Sequence, residues 1–365
     1  MKFTAGREAL LKPLQAVIGV VERRQTMPIL ANVLLVAKDD RVSVTATDLE
    51  VELVASAEAE VGGAGEITVA GRKLLDICRA LPEQAELVIQ LSGEKLSIKS
   101  GRSKFTLTTL PAADFPTVED INAGQTLTLP QATLATLLDK THFSMAQQDV
   151  RYYLNGLLVE TDGKHLRAVA TDGHRLALCQ VQLDGKKMPQ QQVIVPRKGV
   201  LELQRLMSGE GDVELQLGSN HIRIELDGIR FTSKLIDGRF PEYERVIPQD
   251  TSNHLTADKQ LFKGALQRTA ILSNEKYRGI RLIIRDSGVV LQAHNPEQEE
   301  AEEELEVSYK GEDIEIGFNV NYLLDAIGAI ESDEISLALV DGNSSCLLQM
   351  PGNDDCKYVV MPMRL

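Results

Sequence analysis

The sequence has no tryptophan, and seven tyrosines with eight phenylalanines bring its aromatic content to only 4 % of 365 residues. Cores must therefore be built from Leu, Ile, Val and Ala. With 43 % hydrophobic and 25 % charged residues the balance is that of a globular chain and excludes a disordered one. Long apolar runs are missing too: none approaches the roughly 18 residues of a membrane span. Lys2, Arg7, Glu8 and Lys12 interrupt the N-terminus where a secretory signal needs an unbroken apolar region. A cytoplasmic protein with no membrane partner is expected. Cysteine is sparse: Cys78, Cys179, Cys346 and Cys356 lie far apart with no Cys-x-x-Cys spacing. Reduced structural thiols are expected in place of disulfides or a zinc site. Basic residues are outnumbered, 39 Lys and Arg against 53 Asp and Glu, giving a net charge of -14. Such a surface repels polyanions on average, so nucleic acid can be held only if cations gather on one face. Catalytic signatures are absent as well. There is no Gly-x-Ser-x-Gly elbow, no Walker loop and no His-Glu-x-x-His, and the six histidines are scattered.

What is present is self-similarity. NVLLVAKDDRVSVTATDLEVEL from Asn32, NGLLVETDGKHLRAVATDGHRLAL from Asn155 and GIRLIIRDSGVVLQAHNPEQEEAEEEL from Gly279 each read as strand, polar turn, strand, polar corner and further strand. The corners fall at Asp48, Asp172 and Asn295, 124 and 123 residues apart. ITVAGRKLLDICRAL, VIVPRKGVLELQRLM and IGFNVNYLLDAIGAI follow at the same period, each a short strand running into an amphipathic helix. The expected fold class is α+β: three similar domains at 1–122, 126–248 and 252–365, each with two helices packed on antiparallel sheets of about eight strands.

Three units in a row leave two ends. Near the first end KLSIKSGRSKFTLTTL alternates so that Arg102 and Lys104 face one way and Phe105 and Leu107 the other. Near the second, Glu297 to Glu306 holds seven glutamates in ten residues, after Ile271 and Leu272. A head that fits a tail closes a ring or grows a fibre. If the helices line the inside about 10 Å apart, six of them leave a hole of about 9 Å and twelve a hole of about 28 Å. Duplex DNA is roughly 20 Å across. Only a dimer admits it.

The motifs MKFT, LKPLQ, TDLE, TLPAADFP, QDVRYYLNG, ATDGHRLA, VIVPRKGV, DGRFP, ILSNEK, NPEQEEAEE, GFNV and YVVMPMRL occur in an order that resembles the bacterial DNA polymerase III beta-subunit family, the replicative sliding clamps, over the whole chain. The resemblance implies a non-enzymatic, cofactor-free and metal-free homodimeric ring, with helices inside and sheets outside, that encircles double-stranded DNA. Its implied partners are the replicative polymerase alpha subunit, an ATP-driven clamp loader, and other polymerases and repair proteins carrying short clamp-binding peptides. Carried over residue by residue, it places DNA contacts at Arg24, Arg72, Gln148, Tyr152 and Tyr153. It places the dimer interface at Lys73, Arg102, Lys104, Phe105 and Leu107 against Ile271, Leu272, Glu299, Glu300 and Glu303. A peptide groove is implied at Leu154, Thr171, Gly173, His174, Arg175, Leu176, Pro241, Arg245, Val246, Ser345, Val359, Val360, Met361, Pro362, Met363 and Arg364. Lys104 stands where an arginine is familiar, and Asn343 where an apolar residue is expected.

TDGHRLAL itself sets Asp172, His174 and Arg175 close together, which invites a hydrolytic reading with Asp172 orienting His174 as a base. The sibling corners read TDLE and HNPE, so the corner is structural and only the second copy carries His and Arg. A hydrolase at His174 and an interaction scaffold unrelated to DNA are the two alternatives.

Overall fold

The structure, a computed structural model, describes residues 1–21, 27–118, 121, 126–183, 189–249, 251–286 and 288–364. Among the described residues six α-helices come two per repeat: α1 (Arg7–Val17), α2 (Gly71–Ala80), α3 (Gln131–Asp139), α4 (Arg197–Leu206), α5 (Lys259–Thr269) and α6 (Val320–Ala329). Every one follows a strand with no intervening loop, as in Gly65–Ala70 into α2 and Ile314–Asn319 into α6. In the third repeat side chains cap the passage from strand to helix: Asp258 accepts from the Leu261 N–H at 2.8 Å at the head of α5, and Asn319 from Asn321 at the head of α6. No helix among the described residues is long and apolar enough to cross a membrane.

Chain compactness divides the molecule into two units, residues 1–135 with 198–235, and 136–197 with 236–365. The division passes through the second repeat, because its two sheets join different neighbours. In the first unit one thirteen-stranded antiparallel sheet carries the first repeat and half of the second. Strand Ile229–Lys234 of the second repeat pairs with Val51–Glu58 of the first, in register from Ile229 opposite Ala55 to Ser233 opposite Val51. In the second unit Arg175–Gln182 pairs likewise with Cys356–Val360, from Arg175 opposite Val360 to Cys179 opposite Cys356. The same two strand positions thus meet at each seam: the strand after the corner in one repeat and the last strand of the next. Two such edges are left over. Ser103–Leu110 is the last strand of the first repeat; it pairs with Lys95–Ser100 along its length, but on its other side only Thr109 and Leu110 are bonded. Glu300–Glu306 follows the third corner and ends its four-stranded sheet, bonded among the described residues to Gly288–His294 alone.

The helices reinforce the seams. In the first unit Arg205 of α4 donates to the last-turn carbonyls of α1, 2.5 Å to Ala16 and 3.3 Å to Gln15, and Lys198 sits 2.5 Å from the corner Asp48. In the second, Lys140 just beyond α3 reaches Glu331 just beyond α6 at 3.3 Å. The nine-stranded sheet of that unit is buried on both faces. Ala177, Tyr358 and Val360 pack with α5 and α6 on one side, and Leu176, Leu178 and Val359 pack under Phe240 and Tyr243 on the other.

One expectation is overturned. Cys179 and Cys356 form a disulfide across the second-unit seam, where reduced thiols were expected; only Cys78 and Cys346 are free, both buried. The register explains it: the two cysteines, 177 residues apart in sequence, are direct cross-strand partners.

Candidate functional site

The TD corner is built by its own side chains. Asp172 Oδ1 accepts from the N–H groups of His174 and Arg175 at 2.9 and 3.0 Å, and Thr171 Oγ1 donates to the Arg175 carbonyl at 2.6 Å. The first repeat reproduces this, with Asp48 accepting from Glu50 and Val51 and Thr47 donating to Val51. Gly173 sits at φ +88°, and a Cβ there would meet the Arg151 guanidinium at 2.9 Å, so glycine is required for both reasons. His174 is exposed, and the Asp172 carboxylate serves the backbone and Arg175. Among the described residues no hydrogen bond orients the His174 imidazole as a base.

Arg175 is the hub. Its Nε donates to Asp172 at 3.1 Å, Nη1 to Asp325 on α6 at 2.5 Å and Nη2 to the Phe143 carbonyl at 2.6 Å, while its guanidinium lies 4.5 Å from the Tyr322 ring centroid. A side chain so engaged shapes the corner and holds it to the third repeat. Beside it the QDVRYY loop is tied by a second arginine. Arg151 grips both Asp149 oxygens at 3.0 and 2.8 Å and reaches the Asp172 carbonyl at 3.1 Å, while Asn155 brackets Asp149 through two bonds of 2.9 Å. The Arg151 hydrogen bonds hold the Asp149 carboxyl down at about 2.

Between corner, loop and the 241–246 segment lies a cavity of about 190 Å³. Leu154, Thr171, Gly173, Arg175, Leu176, Pro241, Val246, Val359 and Met361 line it, and Arg151, Tyr153, Glu242 and Tyr243 join them. Tyr243 is fixed from behind: its hydroxyl donates to Glu160, which also takes Arg167 Nη1 at 2.5 Å and Gln192 at 2.7 Å, and burial first, then Glu160, pushes its phenol far upward. The other implied groove residues do not line this cavity. Val360 turns to the opposite face of the sheet by strand alternation. His174 and Arg245 are exposed above it, and Ser345 donates to the Val246 carbonyl at 3.4 Å. The tail Met361–Arg364 is pinned by Met361 N–H to the His174 carbonyl at 2.9 Å and Met363 N–H to Gly317 at 2.8 Å. Pro362 is half-buried within that tail, and Met363 and Arg364 line a separate cavity with Tyr277 and Arg281.

Of the implied DNA contacts, Arg24 lies outside the described residues. Arg72 begins α2 and donates to the Val21 carbonyl at 2.8 Å. Gln148 is exposed at φ +56°, and Tyr152 is 57 % exposed on a 3-10 turn, its ring edge-on to that of Tyr153. Tyr153 is half-buried and faces the groove cavity.

Of the implied interface residues, Lys73 and Lys104 are exposed, and Phe105 and Leu107 are half-buried on the opposite face of their strand from Lys104. Arg102 occupies the hairpin turn before that strand and does not share its face with Lys104 as the alternation suggested. Ile271 is 73 % exposed and Leu272 half-buried on the 3-10 turn ending α5. Glu299 and Glu300 are exposed. Glu303 lies on the inward face of its strand, bound by Arg268 of α5 at 2.6 and 2.7 Å, which lowers the Glu303 pKa. Its carboxylate is already paired within the chain.

Comparison with known proteins agrees throughout the length. Models of the DNA polymerase III beta subunit match its N-terminal domain at residues 1–119, its central domain at 128–242 and its C-terminal domain at 244–364. The chain is 56 % identical to the beta sliding clamp of Pseudomonas putida and 52 % identical to that of Escherichia coli K12, each covering 100 % of both chains. A crystal structure of the DNA polymerase III subunit beta from Pseudomonas aeruginosa superposes with a TM-score of 0.98 at 54 % identity, again over 100 % of both chains. The chain belongs to the DNA polymerase III beta subunit family.

Proposed function

We propose that two copies of this chain join head to tail into a ring that encircles duplex DNA and tethers the replicative polymerase to it as a non-enzymatic sliding clamp. The observation that carries this is the seam rule. The strand after the corner pairs with the next repeat's last strand at two seams, and one strand of each kind, Glu300–Glu306 and Ser103–Leu110, remains with an open edge. An open edge invites another strand, and the two open edges complement each other in kind and in charge. Three domains per chain, bounded at 1–122, 126–248 and 252–365, give six domains per ring. Twelve helices leave a hole of about 28 Å, wide enough for a duplex and water.

DNA is then held by topology more than by affinity, which reconciles the role with a net charge of -14. Arg24, Arg72, Gln148 and Tyr152 contact phosphate or an exposed base without reading sequence. The cavity beside the TD corner takes an apolar side chain of a short extended peptide, over a floor of Leu176 and Val359 with adaptable Met361 at its edge. Burying one such side chain contributes about 1.5–3 kcal/mol. The polymerase, an ATP-driven loader, and repair proteins compete for this groove. Sedimentation tests the ring: the reading expects twice the mass of one chain at nanomolar to micromolar concentration, and a monomer at micromolar concentration overturns it.

A further inference from the structure

We propose that Cys179 and Cys356 are a reversible oxidation site, a dithiol–disulfide clip that closes the seam between the second and third repeats. The pair is the last rung of the ladder between Arg175–Gln182 and Cys356–Val360, whose first rung joins Arg175, which lines the peptide cavity, to Val360. The Gln180 N–H bonds the Asp355 carbonyl at 2.9 Å just beyond the cysteines. That bond makes Cys179 and Cys356 a non-hydrogen-bonded pair, the rung type in which opposed side chains lie closest. Fraying of a ladder starts at its ends. A covalent bond at this end therefore protects the strands carrying Leu176 and Val359. The two free cysteines, Cys78 and Cys346, are both buried, and Cys346 stands opposite Val360 on the neighbouring strand, not opposite Cys356.

Exposure orders the chemistry. Cys356 is half-buried and Cys179 only 2 % exposed. A small disulfide such as oxidised glutathione is the oxidant: the Cys356 thiolate attacks one of its sulfurs, forming a mixed disulfide and releasing one thiolate. Cys179, deprotonated, then attacks Cys356 Sγ and expels the second. The protein loses two protons and two electrons as one small disulfide becomes two thiols. Excess reduced thiol reverses both steps.

The test equilibrates the full-length protein in excess oxidised glutathione or in dithiothreitol. Peptide mapping without reduction is expected to show one cross-link, Cys179 to Cys356, with a mass loss of two hydrogens that dithiothreitol restores. Amide exchange over 175–179 and 356–360 is expected to slow at least about tenfold on oxidation. That slowing is expected to vanish in both Cys356→Ser and Cys179→Ala, either of which serves if the other folds poorly. Four thiols remaining under oxidised glutathione, a cross-link through Cys78 or Cys346, or exchange rates equal in the two redox states each overturn the proposal.

Discussion

Replacing Arg175 with alanine separates two roles for the corner: a peptide contact, or a brace for the wall that peptides meet. The side chain is 13 % exposed and makes charge-assisted bonds to Asp172, Asp325 and the Phe143 carbonyl. Breaking a buried pair by deleting one partner costs about 3–5 kcal/mol. Asp325 is 47 % exposed and water replaces much of its loss, so that arm is discounted to under about 1 kcal/mol. The Phe143 carbonyl and Asp172 are less exposed and lose more, giving a total near 3 kcal/mol. A loss of that size lowers the melting temperature by roughly 6–12 °C for a cooperative unit of about 150–250 residues, the scale of the second unit, 136–197 with 236–365. Thermal unfolding followed by circular dichroism, paired with fluorescence anisotropy of a labelled clamp-binding peptide, reads both quantities. Arg175→Lys keeps the charge without the three-way fork and is expected to fall between wild type and alanine in stability. An Arg175→Ala protein that melts within about 1 °C of wild type yet loses peptide affinity by tenfold or more would refute the bracing argument and make Arg175 a direct contact.

Three further outcomes follow from the geometry. Deleting residues 361–365 removes the Met361 wall and the two tail bonds, to His174 and Gly317, and is expected to abolish peptide binding in anisotropy while the sedimenting mass stays dimeric. Ile271→Asp places a charge on an apolar side chain that is 73 % exposed in the single chain, and is expected to weaken the dimer at least about 100-fold in sedimentation equilibrium, with the monomer still folded by circular dichroism. Asp149 is expected to titrate at about 2 by NMR, because Arg151 donates to both its oxygens, and to move up toward 3.8 in Arg151→Ala. A carboxyl depressed in the fold lends stability that is whole above its unfolded value and lost as pH falls through about 2, so the loop order it maintains should persist at pH 4.

The repeats were legible because the corner is written in local chemistry. Thr–Asp at 47–48 and 171–172 satisfies its own turn, so the motif keeps its spacing and marks the first two copies. The hairpin at Asp39 and Asp40, both left-handed with φ near 50°, is equally local. The groove was legible only through family resemblance, since Leu154, Leu176, Pro241 and Val359 come from four separate stretches and no period links them. Arg151 and Tyr243 were missed, although an Asp two residues before an Arg in QDVR is a local signal for the clasp that Arg151 makes. Arg175 reads as a ligand contact in sequence because its partners Phe143 and Asp325 lie 32 and 150 residues away. The Cys179–Cys356 bond was hidden for the same reason. Pairing across 177 residues depends on strand register, which the expectation of thiols did not include.

The claim that the chain works by encirclement is tested most directly by gel filtration of protein loaded on nicked circular plasmid, before and after a restriction cut. Co-elution with the circle and release within minutes once ends exist are expected, since a ring slides off what it barely grips. Equal retention on circular and linear DNA would contradict it and point to ordinary surface binding.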